Sequence, residues 1–487
     1  MSMRYDRCMP VSTYAITSFG LEGRVIQVEV DISPGLPAFA IVGLADTAVL
    51  EARERIRPAI KNSGYTYPPT RKTVLLAPAH VHKHGPAFDL AMAIGLLAAS
   101  KQIPIPDKKT IFLGELSLDG SIRGIHGIIP ALLFAKKIGI ETVVLPDENL
   151  QEAILVSDIT MVPVKNLGEA VAFLKGDTSK KQTTESVPGL LADENEDDAL
   201  THIIGQETAK RALAIAAAGQ HNILLSGPPG IGKSLLARAI RTLLPPLRYD
   251  TFLEVAAIHS LRGLNIFSNH AHGRPIRSIH HTTSTAALIG GTSELLPGEI
   301  SLAHHGILIL DEISEFPRST IESLRQPLED RTITITRASG SVTYPAKFLL
   351  FATSNPCPCG YLGHQKITCK CLPSDIKRYN KRLSGPILDR IDIRITMENT
   401  DAKAVVYQTS TSAQHLKEQV TLAVTRKRQR YAGTSCISNS DLTPDNISTF
   451  APLNASAKIR LTELADANQL SARSIHRLIK LARTIAN

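Results

Sequence analysis

Gly227-Pro228-Pro229-Gly230-Ile231-Gly232-Lys233-Ser234 is the stretch from which the rest of this 487-residue chain can be read. An apolar run, 222–225, precedes it, and Leu235-Leu236-Ala237-Arg238-Ala239-Ile240 with helical spacing follows. Strand, glycine-rich turn and helix form the context that a G-x-x-x-x-G-K-[ST] match requires. Glycines let backbone N–H groups close around a phosphate, and the helix N-terminus adds its positive end. Lys233 then reaches the β and γ phosphates of a nucleotide, and Ser234 holds Mg²⁺.

Downstream, Ile307-Leu308-Ile309-Leu310-Asp311-Glu312 places two carboxylates after four apolar residues, as a buried parallel strand does at its C-terminal edge. Asp311 is the expected Mg²⁺ partner through water, and Glu312 the group that polarises the attacking water. A further strand, 347–352, ends in Thr353-Ser354-Asn355, and a polar residue at that strand tip can orient that water from the opposite side. Ser384-Gly385-Pro386-Ile387-Leu388-Asp389-Arg390 leads into a last strand, 393–397, and residues 401–487 read as helical. The expected class is α/β.

Residues 10–175 read as a separate α/β domain. Val25 to Val30 alternates like a strand, 47–62 is an amphipathic helix, 74–77 a buried strand and 89–100 an apolar helix. The stretch 176–200 is polar and acidic without apolar periodicity, which suits a linker. The expected division is therefore 1–175, linker 176–200, a nucleotide-binding domain 201–400 and a helical lid 401–487.

Apolar content of 43% and charged content of 20% fit a globular protein. No leader with a cleavage site and no apolar run of spanning length is evident, so a cytoplasmic location without membrane association is expected. The net charge of +9 is uneven: residues 1–200 carry −4 and residues 201–487 carry +13. A basic nucleotide-binding half suits work on a polyanion, and a surface kept basic for solubility is the alternative.

Cys357-Pro358-Cys359 and Cys369-Lys370-Cys371 offer four thiolates, a donor set for structural Zn²⁺, with His364 as a substitute ligand. The C-x-C spacing departs from the usual two or more intervening residues, and free thiols are the alternative. Thr332-Ile333-Thr334-Ile335-Thr336-Arg337, a turn Ala338-Ser339-Gly340 and Ser341-Val342-Thr343-Tyr344 read as a β-hairpin. Between the phosphate-loop helix and Asp311 lies a long insert carrying Arg274 and Arg277.

Two front stretches resemble the proteolytic domain of Lon-type proteases: His84-Gly85-Pro86-Ala87-Phe88-Asp89, and Gly114-Glu115-Leu116-Ser117-Leu118-Asp119-Gly120 through Gly127-Ile128-Ile129. That family carries a nucleophilic serine and a lysine base where this chain has Ala87 and Ile129. Neither side chain can attack a carbonyl or take a proton, so the resemblance implies the fold without the proteolysis.

The motifs together resemble an AAA+ ATPase of the branch with magnesium chelatase subunits and minichromosome-maintenance helicases. With the Lon-like front, the four cysteines and Gly298-Glu299-Ile300-Ser301-Leu302-Ala303-His304, the chain resembles the magnesium-chelatase-like ComM/YifB family over nearly its whole length. The resemblance implies a homo-hexameric ring with ATP between subunits, sensor 1 at Asn355, an arginine finger at Arg390 and sensor 2 at Arg473, with Arg477 one turn later as the rival. It implies a DNA helicase aiding branch migration during natural transformation, alongside recombination proteins. In the related helicases the hairpin and the insert grip the DNA backbone, which nominates Arg274, Arg277 and Arg337; hairpins that only pack subunits are the alternative. A chelatase-like motor acting on a protein or metal-insertion partner is the second functional expectation.

Overall fold

The computed structural model describes residues 10–44, 46–183, 200–264, 274–291, 295–337, 340–364, 367–398, 413–434, 436 and 438–487. Most of the expected linker (184–199), the hairpin turn residues Ala338 and Ser339, and the start of the expected lid (401–412) lie outside them.

The chain divides into two units. Among the described residues, the first takes those up to Thr183, with 256–264 and 295–296. It holds one sheet in the order β1-β2-β4-β3, from β1 (Val11–Phe19), β2 (Glu22–Ser33), β3 (Ala38–Val42) and β4 (Arg71–Ala77). A second sheet runs β10-β9-β8-β5, from β5 (Thr110–Phe112), β8 (Thr142–Pro146), β9 (Thr160–Val164) and β10 (Gln182–Thr183). The short pair β6 (Glu115–Leu116) and β7 (Ile122–Arg123) lies between β5 and β8 in the chain. The helix Asp89–Ala99 is apolar all round after Asp89 and buried from Asp89 to Ala98, as a helix without a wet face must be. β10 pairs with β9, so the first residues of the expected linker extend this sheet.

Residues 256–264, expected within the nucleotide-binding domain, belong to the first unit instead. Their apolar residues Ala256, Ala257, Ile258 and Leu261 are buried, and the Ser260 carbonyl accepts from the Gly127 N–H at 2.8 Å. Ser260 Oγ donates to Glu152 at 3.0 Å. Ile129 is fully buried and Ala87 half-buried, and neither offers a side-chain nucleophile or base.

The second unit is built on five parallel strands in the order β12-β13-β16-β11-β17: β12 (Ile276–Ile279), β13 (Ile307–Leu310), β16 (Leu349–Ser354), β11 (Ile223–Ser226) and β17 (Ile393–Thr396). The expected phosphate-loop strand and the acidic strand are both present, separated by β16. β12 is a correction to the reading of Arg274–His281 as part of an insert. Ile276 and Ile279 join the edge of the core sheet, paired with Ile307 and Leu310. The hairpin β14 (Thr332–Arg337) and β15 (Gly340–Pro345) forms with Thr334 opposite Thr343. Helices Ala413–Arg430, Pro444–Phe450, Ala455–Ala467 and Ala472–Ile485 follow. The first packs against the helix Glu207–Gly219, and Leu416, Val420 and Val424 enter the sheet's core.

Candidate nucleotide site

All five strands are parallel, so their C-terminal ends share one edge, and the phosphate loop leaves from it. Gly230 and Gly232 have φ of +80° and +93°, the left-handed region that glycine enters without steric cost. Gly227 is required by space: a Cβ there would stand 2.8 Å from the Met397 carbonyl. The helix Lys233–Ala239 then begins directly at the lysine. Lys233 Nζ donates to the Gly227 carbonyl (2.5 Å), the Pro228 carbonyl (2.8 Å) and Asn355 Oδ1 (2.9 Å). Burial lowers its pKa, opposed by the charges of Asp311 and Glu312.

The acids stand on the same edge. Asp311 Oδ2 accepts from Ser234 Oγ at 2.9 Å, and its other oxygen accepts from Thr353 Oγ1. Glu312 has φ of +54°, uncommon for a residue with a Cβ, and its N–H donates to Thr353 Oγ1 at 2.9 Å. Asn355 Nδ2 donates to Glu312 Oε1 at 3.1 Å. One side-chain amide thus touches both Lys233 and Glu312, and one hydroxyl holds both Asp311 and the Glu312 backbone. The sequence offers Thr353 only as one of three polar residues at a strand tip, and its hold on Asp311 and the Glu312 backbone was missed there. The paired oxygens of Ser234 and Asp311 are hard donors that suit Mg²⁺.

The arginines occupy the other edge. Ile393 pairs with Ile223, and the Asn222 carbonyl accepts from the Asp392 and Ile393 N–H groups. Arg390 therefore precedes β17 at the end where the strands start, about 13 Å of strand away from the phosphate loop. Its Nη1 donates to the Pro386 carbonyl at 2.6 Å, and its other terminal nitrogen pairs with Glu329. Arg473 pairs with the same carboxylate at 3.2 Å. Arg477 instead donates to the carbonyls of Ile391 (3.1 Å) and Leu388 (3.3 Å), pinning its helix to the loop before β17. Asp392 accepts from the Asn222 N–H at 3.0 Å. Arg390, Arg473, Arg477, Arg331, Lys347 and Lys480 line a cleft of about 720 Å³ together with Glu329.

The four cysteines converge two residues beyond Asn355. Sγ atoms of Cys357 and Cys359 are 3.4 Å apart, and each is 3.6 Å from Cys369; the Cys359 N–H donates to Cys371 Sγ at 3.4 Å. All four sulfurs lie within 4.8 Å of one another, and none is bonded in a disulfide. Tetrahedral zinc with bonds of about 2.3 Å separates its sulfurs by about 3.8 Å, so the donor set fits the ion. His364 is outside this group, its Nδ1 accepting from the Ile367 N–H. The knuckle abuts the phosphate loop: a Cβ on Gly360 would stand 2.7 Å from Pro229 Cδ.

Glu254, His304 and His305 form a second cluster of ligand atoms. His304 Nδ1 accepts from the Lys347 N–H at 3.0 Å, so the neutral ring carries its proton on Nε2, which faces Glu254 at 3.3 Å. That nitrogen is a donor and has no lone pair for a metal, which leaves two ligands. The cluster is a hydrogen-bond network.

The three arginines nominated for a DNA backbone separate. Arg274 is buried, its Nε donating to the Pro245 carbonyl (2.5 Å) and Nη1 to the His305 carbonyl (2.6 Å), which corrects its nomination. Arg277 makes a two-pronged pair with Glu299 at 2.6 and 2.8 Å, which neutralises it. Arg337 is exposed at the end of β14, with Nε on the Gly291 carbonyl at 3.1 Å.

Three family models match the chain. The model described as magnesium chelatase, subunit ChlI, matches residues 199–405; that for subunit ChlI of Mg-chelatase matches 28–149; the ChlI C-terminal model matches 410–487. The chain is 40% identical over 486 residues to the competence protein ComM of Haemophilus influenzae, covering 97% of this chain and 93% of that one. It belongs to the magnesium-chelatase-like ComM/YifB family. YifB of Escherichia coli is also 40% identical, over 478 residues, with 96% and 92% covered. The likeness of this ComM/YifB-family chain to Lon protease 2 of Bacillus subtilis is partial, 38% over 96 residues and 19% of the chain. The fold is thus a Lon-like α/β unit and an AAA+ parallel-sheet unit with C-terminal helices. Among the described residues no helix is long and apolar enough to cross a membrane.

Proposed function

We propose that the chain is a cytoplasmic, ATP-hydrolysing DNA translocase that works as a homo-hexameric ring and drives branch migration when incoming strands recombine during natural transformation. The observation that carries the motor is the opposition of the two sheet edges, with phosphate loop and carboxylates at one and Arg390 and Arg473 at the other. That separation supports an Arg390 that serves the γ-phosphate of a neighbouring copy and not its own.

In this reading Lys233 leaves its carbonyls for the β and γ phosphates of ATP. Ser234 and Asp311 hold Mg²⁺, which neutralises phosphate charge when bound. Glu312 accepts a hydrogen bond from the attacking water and polarises it, while Asn355 orients both. Arg390, the finger, and Arg473, the second sensor, arrive from the next subunit and stabilise the transferring phosphoryl group. Arg477 is left to structure by its two carbonyls. Cys357, Cys359, Cys369 and Cys371 hold a structural Zn²⁺. Arg337 on the hairpin contacts DNA phosphates, and the front unit, with Ala87 and Ile129, binds a partner without cleaving it.

The name of the Haemophilus influenzae relative supports DNA uptake as the setting. The magnesium chelatase models favour a second reading, a motor acting on a protein or metal-insertion partner. ATPase turnover measured with and without single-stranded and forked DNA separates them. The translocase predicts stimulation that falls steeply with salt; indifference to every DNA form leaves the second reading.

A further inference from the structure

Arg390 and Arg473 come from segments far apart in the chain and meet on one carboxylate. Glu329 gives one oxygen to Arg390 and the other to Arg473, the latter at 3.2 Å. Two guanidiniums side by side repel each other, and a carboxylate with one oxygen for each offsets that. The arrangement resembles two non-bridging oxygens of a phosphate, the group these arginines meet in the proposed reaction. Two other acids of the cleft are engaged elsewhere, Asp441 with Lys347 at 2.6 Å and Asp392 with the Asn222 N–H, while Asp389 also lines it. Glu329 itself lies in the last turn of a short helix, Arg325–Asp330, with its side chain 48% exposed, so it can swing out without opening the core.

We propose that Glu329 is a stand-in anion: it neutralises Arg390 and Arg473 while no γ-phosphate faces them, and yields them when a neighbouring subunit presents ATP. The inference rests on the trans reading of the two arginines. It makes Glu329 a positioning residue that competes with ATP, and not with ADP, for the same cations. Removing its charge therefore strengthens productive engagement of ATP and leaves the chemical step alone.

The test is steady-state ATPase of the full-length chain and its Glu329→Gln and Glu329→Asp variants, with binding of fluorescent ADP measured in parallel. Glu329→Gln should lower KM for ATP about fivefold with kcat within about twofold, as loss of two partly exposed ion pairs implies. The difference should shrink as salt rises, ADP affinity should not move, and Glu329→Asp should return KM toward wild type. An unchanged KM in Glu329→Gln overturns the proposal, as does a fall in kcat at constant KM. Should Glu329→Gln melt early, Glu329→Ser reads the same loss of charge; early melting of both means a folding role and also overturns it. Failure of the underlying reading shows separately, because Arg390→Ala would then hydrolyse ATP at the wild-type rate whatever Glu329 does.

Discussion

Asn355 and Glu312, at the tips of neighbouring parallel strands, are joined by an amide-to-carboxylate hydrogen bond of 3.1 Å. The same amide accepts from Lys233, so the groups proposed to activate water and to bind phosphate are held in register with each other. Glu312→Gln should retain ATP binding and lose at least about 100-fold in turnover, whereas Lys233→Ala should lose binding itself. Phosphate release together with fluorescent-nucleotide titration distinguishes the two, and wild-type turnover in Glu312→Gln would remove its assignment.

Arg390→Ala should bind ATP nearly normally and hydrolyse it roughly 10³-fold more slowly, the scale of trans-acting arginines in related chemistry. Mixed with Lys233→Ala, which is inactive for a different reason, it should recover part of the activity, because some interfaces then pair an intact loop with an intact arginine. No recovery in rings shown to be mixed would mean that Arg390 does not act across subunits.

Zinc should co-purify at about one ion per chain, and Cys357→Ser should release it. Elemental analysis finding none, with all four thiols alkylated in the folded protein, would leave the knuckle as free cysteines.

Lys427 is buried with its Nζ on the Ala218 carbonyl at 2.7 Å, and burial lowers its pKa to about 7. Between that value and the ordinary lysine range the unfolded chain binds the extra proton, so stability should rise with pH across this window. Below about pH 7 the full cost remains, on the order of a few kcal/mol. Lys427→Met should raise the melting temperature at neutral pH and flatten the alkaline rise; an unchanged slope would mean that another group titrates there.

The first unit should cleave no protein. Casein incubated with the chain and ATP should remain intact, and cleavage lost on removing residues 1–175 would contradict the reading of Ala87 and Ile129.

The phosphate loop and the acidic strand were legible because their chemistry demands fixed residues at strand ends. The helix Thr47–Asn62 was read to the residue, since its apolar positions Val49, Ala52, Ile56 and Ala59–Ile60 keep helical spacing. β12 was not legible: four residues with one arginine, flanked by Pro275 and two histidines, look like a loop, and only the partner strand makes them a sheet edge. Charge misled in the same place, because Arg274 satisfies itself on two carbonyls that the sequence cannot locate. Glu329 was invisible for a related reason. It meets Arg390 61 positions away, a pairing set by tertiary packing.

Gly360, pressed against Pro229 with no room for a methyl group, ties the sulfur knuckle mechanically to the loop that must wrap a triphosphate. Thiol chemistry at the four cysteines is therefore expected to be felt at the nucleotide. An oxidant or a chelator that loosens the knuckle should release nucleotide while the parallel sheet still stands, so the motor stalls intact rather than unfolding.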